Sequence, residues 1–310
     1  MAVIRMNAQG DKAVAHGRPV ELEAVLEAEA QNTGPVVVMI HGFKYEPGNP
    51  YHCPHRHILS LDPDHLPWRA PSWPRHLGFG LGHADEGLAI AFGWNARGGF
   101  SAALGRTRAA GSALASVVNR IHTVAPHRPV HIIGHSLGTK VALDALSDLP
   151  AGAVDRIISL TGAMYRSQAE AALNTPAGRS LEFFNVTTRE NDPFDFLFER
   201  LAARPTRGDL AIGHGLQAPN AVTLQLDCLQ TLEHLRQMGH DIGLPEHRIC
   251  HWSSYMRPGA LRFYKRLIRK TDRNPLAQLQ QIQPDRPAPR WSRLLNPGPL
   301  PAPMPIWQRI

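Results

Sequence analysis

Residues 130–143 read Val-His-Ile-Ile-Gly-His-Ser-Leu-Gly-Thr-Lys-Val-Ala-Leu, and at their centre Gly134-His135-Ser136-Leu137-Gly138 sets two glycines symmetrically about one serine. A serine hydroxyl is a weak nucleophile until it is exposed, aimed and paired with a base. A sharp strand-to-helix turn provides the exposure and strains the serine backbone. Glycines two before and two after remove side chains that would collide across that turn. The helix starting just behind points its free N–H groups and positive dipole end at the reacting oxygen. Nucleophilic attack by Ser136 on an acyl carbonyl is the chemistry this pattern suits. With 26 glycines in 310 residues the bare pattern is weak. Its setting is narrower, because apolar residues precede it and a small-residue stretch (Thr139, Ala142, Ala145) follows.

Such a serine needs a buried strand before it and a packed helix behind it. Residues 3–6 and 21–26 read as short opening strands, with turns at Gly10-Asp11 and Gly17 between them. Residues 36–40, 88–94 and 130–133 are apolar runs of strand length, as expected for strands covered on both faces. Further strands are expected at 156–160, 181–186 and 221–226. Helices are expected from about 105 to 124, from 137 to 148, up to about Met238, and from 258 to 270. The alternation predicts an α/β fold with a mostly parallel central sheet and helices on both faces. Residues 1–270 then form one catalytic domain. Residues 44–84, rich in Pro, His and Trp, interrupt it as an insertion after the His41-Gly42 strand. That insertion is far longer than ordinary connections, and we expect it to cover the Ser136 pocket as a lid. Residues 271–310 hold nine prolines and read as an extended Pro-rich tail outside the core.

Composition limits the function. Hydrophobic residues make up 43% and charged residues 19%, enough apolar material for a full core. No apolar run reaches 18 residues, so integral membrane association is not expected. The first ten residues lack an apolar h-region, and Cys53, Cys228 and Cys250 are an odd set without paired spacing. Both observations point to the cytoplasm. The net charge is +7, yet the basic residues are scattered. The densest stretch places Arg262, Lys265, Arg266, Arg269 and Lys270 on the solvated face of a helix whose Leu261, Phe263, Tyr264, Leu267 and Ile268 face inward, so nucleic acid is not an expected partner. His52, Cys53, His55, His57 and His65 lack the second pair that a structural zinc needs, and read as a polar, substrate-facing part of the lid. Gly78, Gly80 and Gly82 follow no strand and are not read as a nucleotide loop. Neither a metal nor an organic cofactor is expected.

At Gly134–Gly138, and in element order over about residues 30–270, the chain resembles the α/β-hydrolase superfamily. The resemblance implies an acid and a histidine after the nucleophile, in that order. It places the orienting carboxylate in Thr-Thr-Arg-Glu-Asn-Asp192-Pro-Phe-Asp195, beyond the strand at 181–186; Asp192 is the first choice, with Asp195 a rival and Glu190 a weaker one. It places the base in the loop before the last helix, at His251, whose Ile249, Cys250 and Trp252 neighbours suit a neutral imidazole. His240 and His247 compete from the same loop. It implies an oxyanion hole from the backbone N–H of Leu137 and that of Phe43, with Lys44 less favoured. The expected activity is that of a serine hydrolase cleaving a small-molecule carboxylic ester through an acyl-enzyme. The same machinery would serve an acyltransferase, thioesterase or amidase, and an inactive pocket-binding protein is the rival of another class. Oligomeric state is left open.

Overall fold

Val-Val-Val-Met-Ile has no polar side to turn toward water, so a strand built from it must be covered on both faces. The computed structural model describes residues 3–295 apart from 18, 20, 29–31, 66–68, 270–274, 285 and 286. In it this strand, β3 (Val36–Ile40), lies fully buried inside an eight-stranded sheet. The other strands are β1 (Val3–Gln9), β2 (Lys12–Ala15), β4 (Leu88–Gly93), β5 (Val130–His135), β6 (Arg156–Leu160), β7 (Glu182–Thr187) and β8 (Ala221–Gln225). Their order across the sheet is β2-β1-β4-β3-β5-β6-β7-β8. Only the β1–β2 hairpin is antiparallel; every other neighbouring pair is parallel.

The strand order reverses at β3. From β3 the chain moves to β4 on one side, then returns to lay β5 on the other. The carboxyl ends of β3 and β5, paired up to Ile40 and Gly134, therefore open onto the crevice where open α/β sheets bind their ligands.

Side chains alternate between two cores. Val36, Val38 and Ile40 join Leu88, Ile90 and Phe92 on one face, beneath the helices Phe100–Val124 and Leu137–Ala145. Val37 and Met39 join Ile133, Phe184 and Leu224 on the other, beneath the helix Ala260–Arg269. That helix buries Leu261, Phe263, Tyr264, Leu267 and Ile268 as its periodicity predicts. Arg269, expected to be solvated, instead donates to the carbonyls of Leu77, Gly78 and Glu86. Among the described residues no helix is long and apolar enough to cross a membrane.

Three expectations need correction. Residues 21–26 are not a strand: Leu22–Ala28 is a helix that buries Leu22 and Leu26. Residues four apart share a face in either structure, and the intervening Glu and Ala residues favour the helix. The second strand of the opening pair is instead β2, reached across the turn at Gly10. The insertion, expected as a cover, supplies core among its described residues. Ile58, Leu59, Trp73, Leu77 and Phe79 are all fully buried in the second core. His55 stacks on His16 with ring centroids 4.1 Å apart, and His57 meets the Tyr45 hydroxyl at 2.5 Å. Both histidines are packing residues. The segment after 270 is not wholly extended: Pro275–Gln281 is a helix whose Leu276 and Leu279 enter the second core. Residues 296–310 lie outside the described residues.

Because the insertion supplies core, truncating it should cost folding energy. Trp73→Ala is expected to destabilise the protein by about 3–5 kcal/mol in urea titrations. Tyr51→Ala, at a residue 70% exposed, should stay within about 0.5 kcal/mol of the parent. Equal and negligible effects would mean that the insertion is a detachable cover after all.

Candidate active site

β5 ends at His135, and Leu137–Ala145 begins one residue after Ser136. A turn that tight forces Ser136 to φ 53° and ψ −121°, a left-handed backbone that side-chain-bearing residues rarely adopt. The glycines follow from distances. A Cβ on Gly134 would lie 2.8 Å from the Gly138 carbonyl, and one on Gly138 would lie 2.6 Å from the carbonyl oxygens of Ile40 and His41. A Cβ on Gly42 would come within 2.9 Å of the Ser136 Cβ. The loop after β3 therefore touches the Ser136 turn only because Gly42 has no side chain.

His41 fixes that loop. Trp94 N–H donates to His41 Nε2 at 3.0 Å, so the ring proton sits on Nδ1 and is donated to the Gly42 carbonyl at 2.9 Å. Burial above all holds this imidazole neutral, down at about 3. Its bond sets the plane of the Gly42–Phe43 peptide, and in a trans peptide the Phe43 N–H then points the opposite way. Among the described residues neither Phe43 N–H nor Leu137 N–H donates to another protein group. Lys44 N–H is already spent on the Ala96 carbonyl at 2.9 Å.

His251 lies on the loop before Ser253–Met256, and its backbone carbonyl accepts from His135 Nε2 at 3.1 Å and from Thr161 Oγ1 at 3.2 Å. The His135 and His251 rings approach to 4.6 Å between centroids, which brings the His251 side chain beside the residue that precedes Ser136. Phe194 stacks on the other side, also at 4.6 Å. Burial, with His135 nearby, keeps His251 neutral well below the ordinary histidine range. His240 sits elsewhere, edge-on to Phe263 and beside Arg266. His247 contributes its backbone N–H to Glu190.

The partner of His251 is Asn191, not Asp192. Nδ1 of His251 lies 2.6 Å from Asn191 Oδ1. The amide orientation is set from behind, where Asn191 Nδ2 donates to Asp195 Oδ1 at 3.0 Å. The amide oxygen is thus the acceptor, Nδ1 carries the proton, and Nε2 is the free basic nitrogen. Asp192 turns away: one oxygen meets Arg189 at 3.2 Å and the other accepts from Trp291 N–H at 2.6 Å. Asp195 is buried, and that burial pushes its carboxyl up to about 7.

Glu190 is a clamp. Fully buried, it pairs with Arg257 at 2.6 Å, accepts from His247 N–H at 3.1 Å, and takes Cys250 N–H on its carbonyl at 3.0 Å. Three fastenings thus hold the loop carrying His251. Sequence reasoning missed Asn191, an amide in a search for an acid, and Arg257, which no motif singled out. An aromatic series runs from Phe43, edge-on to Phe100 at 5.7 Å, to Phe198, which meets Phe100 edge-on at 6.2 Å.

Residues 19–164 match the model of a family described as an alpha/beta hydrolase of unknown function (DUF900). The match spans β3, the Gly42 turn, the Ser136 turn and β6, and stops before Asn191 and His251. No curated protein matches the sequence. With a mostly parallel eight-stranded sheet, helices on both faces, and Ser136 at the carboxyl end of a central strand, the chain has the fold of the α/β hydrolases and is similar to that family over the matched residues.

Proposed function

We propose that the protein is a serine hydrolase of carboxylic esters in which Ser136 is the nucleophile, His251 the base and Asn191 the residue that orients it. One observation carries the reading: His251 is locked into the tautomer with Nε2 free, by a 2.6 Å bond to an amide that is itself pinned, on a loop fastened to the Ser136 turn.

Ser136 Oγ attacks the ester carbonyl as His251 Nε2 takes its proton. The developing oxyanion is met by the Phe43 and Leu137 N–H groups, each removal of such a donor costing on the order of 10²–10³ in rate. His251 then gives the proton to the leaving alcohol, and a water deprotonated by the same nitrogen releases the acid and restores Ser136. The aromatic series at Phe43, Phe100 and Phe198 suits an apolar acyl group. Asp195, one hydrogen bond behind Asn191, acts on the imidazolium through the amide.

Ser136→Ala is expected to abolish both ester hydrolysis and labelling by a fluorophosphonate, with circular dichroism unchanged, since alanine fits the same turn. Residual turnover within tenfold of the parent would remove Ser136 from the nucleophile role. A panel of p-nitrophenyl esters graded in chain length, run beside thioesters and anilides, reads the leaving-group class.

Asn191→Ala should lower kcat by at least about 10², because the imidazole loses its fixed tautomer, whereas Asp192→Asn should change kcat less than tenfold and act mainly on stability. The reverse order would restore Asp192 as the orienting residue.

Asp195 titrates near 7 in the fold and near 3.9 when unfolded. Between those values the folded state binds the extra proton, so this group's stabilisation is full below about pH 4 and is lost as pH rises through about 7, at up to about 1.4 kcal/mol per pH unit. Asp195→Asn should therefore gain stability relative to the parent from pH 4 to 8. It should also remove a rise in kcat/KM near pH 7, which His251, neutral throughout, does not produce. Parallel stability curves for the two proteins would show that Asp195 is ionised across the range.

A further inference from the structure

Beyond the carboxyl ends of β7 and β8 lies a second cavity, of about 390 Å³, closed on one side by Gln283, Pro284 and residues 287–290. None of its described lining residues belongs to the proposed triad or to the oxyanion turn. Its polar wall is one of donors. Arg189 Nε, Arg290 Nε and Thr231 Oγ1 are buried with no hydrogen-bond partner, and all three residues line the cavity. Buried polar atoms are nearly always partnered, and three such atoms around one space point to something that fills it. Arg189 and Thr231 are themselves 5% and 2% exposed.

The unpartnered guanidinium donors name the class of the occupant. Asp192 pairs with Arg189 through NH1, and Glu199 with Arg290 through NH2, so both carboxylates engage the guanidinium groups at their far nitrogens and leave each Nε unbound. Arg166, the third arginine of the lining, donates to the carbonyls of Gly215 and His214 and has no carboxylate partner among the described residues. Two further buried carboxylates reach Arg189 from outside the lining, Asp227 by accepting its backbone N–H at 2.8 Å and Asp195 by charge, while the lining itself contains no Asp or Glu among its described residues. His214, also in the lining, is held down at about 4 by its burial and then by Arg290, Arg189 and Arg166, with Glu199 opposing. The opposite wall is apolar, with Leu216, Pro284, Pro287, Ala288 and Pro289. A water cluster would satisfy the donors but leave the apolar wall wet.

We infer that this cavity binds a small organic anion, with a phosphate or carboxylate head on Arg189, Arg290 and Thr231 and an apolar body against the proline wall. Charge-assisted bonds to guanidinium N–H groups are the stronger kind, and both head groups fit arginine geometry.

Isothermal titration of the full chain with phenyl phosphate, and separately with benzoate, at fixed ionic strength in chloride tests this site. One saturable site per chain is expected for at least one probe, and the tighter probe identifies the head group. Thr231→Val, which keeps the side-chain shape, and Arg290→Gln, at a partly exposed position, should each weaken binding at least tenfold; either variant decides if the other fails to fold. Ser136→Ala should leave the affinity unchanged. Absence of saturable binding by either probe, affinity retained in the folded Thr231 and Arg290 variants, or affinity lost in Ser136→Ala would each overturn the site.

Discussion

The backbone at Ser136 is held where a side-chain-bearing residue does not rest by itself, at φ 53° and ψ −121°, and the crevice is organised around keeping it there. A conformation of this kind costs of order 1–3 kcal/mol, so it persists only when its surroundings over-determine it. Here they do. Ser136 N–H donates to the Leu160 carbonyl at 3.0 Å, while its own carbonyl accepts from Thr139 and Ala163, both at 3.1 Å. The turn is thereby fastened to β6 on one side and to its own helix on the other. The glycine pattern follows from the same constraint, since Gly134, Gly138 and Gly42 each stand where a methyl group would meet another atom at 2.9 Å or less. A motif visible as spacing in the sequence is, in space, a set of contact distances.

The proposed reaction also requires a base that stays in register with that turn, and His251 comes from a loop with little regular structure. Residues 239–252 contain no helix or strand, so nothing periodic fixes His251. The buried Glu190–Arg257 pair does. Such pairs contribute little net stability against an apolar alternative, yet removing one partner typically costs about 3–5 kcal/mol, because the other charge is left buried and alone. The pair therefore works through specificity, by making any other arrangement of this loop expensive. Arg257 also donates to the Leu226 carbonyl, which ties the loop to the residue just beyond β8. The close turn at Gly259, φ 82°, where a Cβ would strike the Asp241 carbonyl, returns the chain to the helix Ala260–Arg269.

What was legible in the sequence is what depends on local pattern. Val36–Ile40 and Arg156–Leu160 coincide with the expected strands, because a continuous apolar run of that length has few alternatives in an α/β chain. Leu22 and Leu26 were ambiguous, since a spacing of four serves a helix and a strand equally. The insertion was misread because burial is not local: Trp73 is buried against Tyr255, with ring centroids 5.1 Å apart, and no pattern near residue 73 announces a partner 182 positions later. The same holds for the acid. Arg189–Asn191 is a 3-10 turn and Asp192 opens the next helix, so consecutive side chains are thrown roughly 100–120° apart. Choosing Asn191 over Asp192 required knowing that the Trp291 N–H and Arg189 would claim Asp192 from the other side.

An amide in the orienting position changes the electrostatics of the proposed reaction in a definable way. A carboxylate next to the imidazole would fix its tautomer and also stabilise the imidazolium by charge, worth about 4 kcal/mol for unit charges 4 Å apart at an effective dielectric near 20. Asn191 keeps the first contribution and gives up most of the second. Doubling the separation halves the Coulomb energy, so a charge one hydrogen bond further away, at Asp195, would still return about 2 kcal/mol. That return exists only while Asp195 is ionised, and burial works against its ionisation. Arg189 is the one neighbour that favours the ionised form by charge, and Asp192 and Glu199 oppose it. The arginine that anchors Asp192 thus also supports the charge behind Asn191. In the proposed reading, the carboxylate that faces away from the histidine matters to it through the arginine they share.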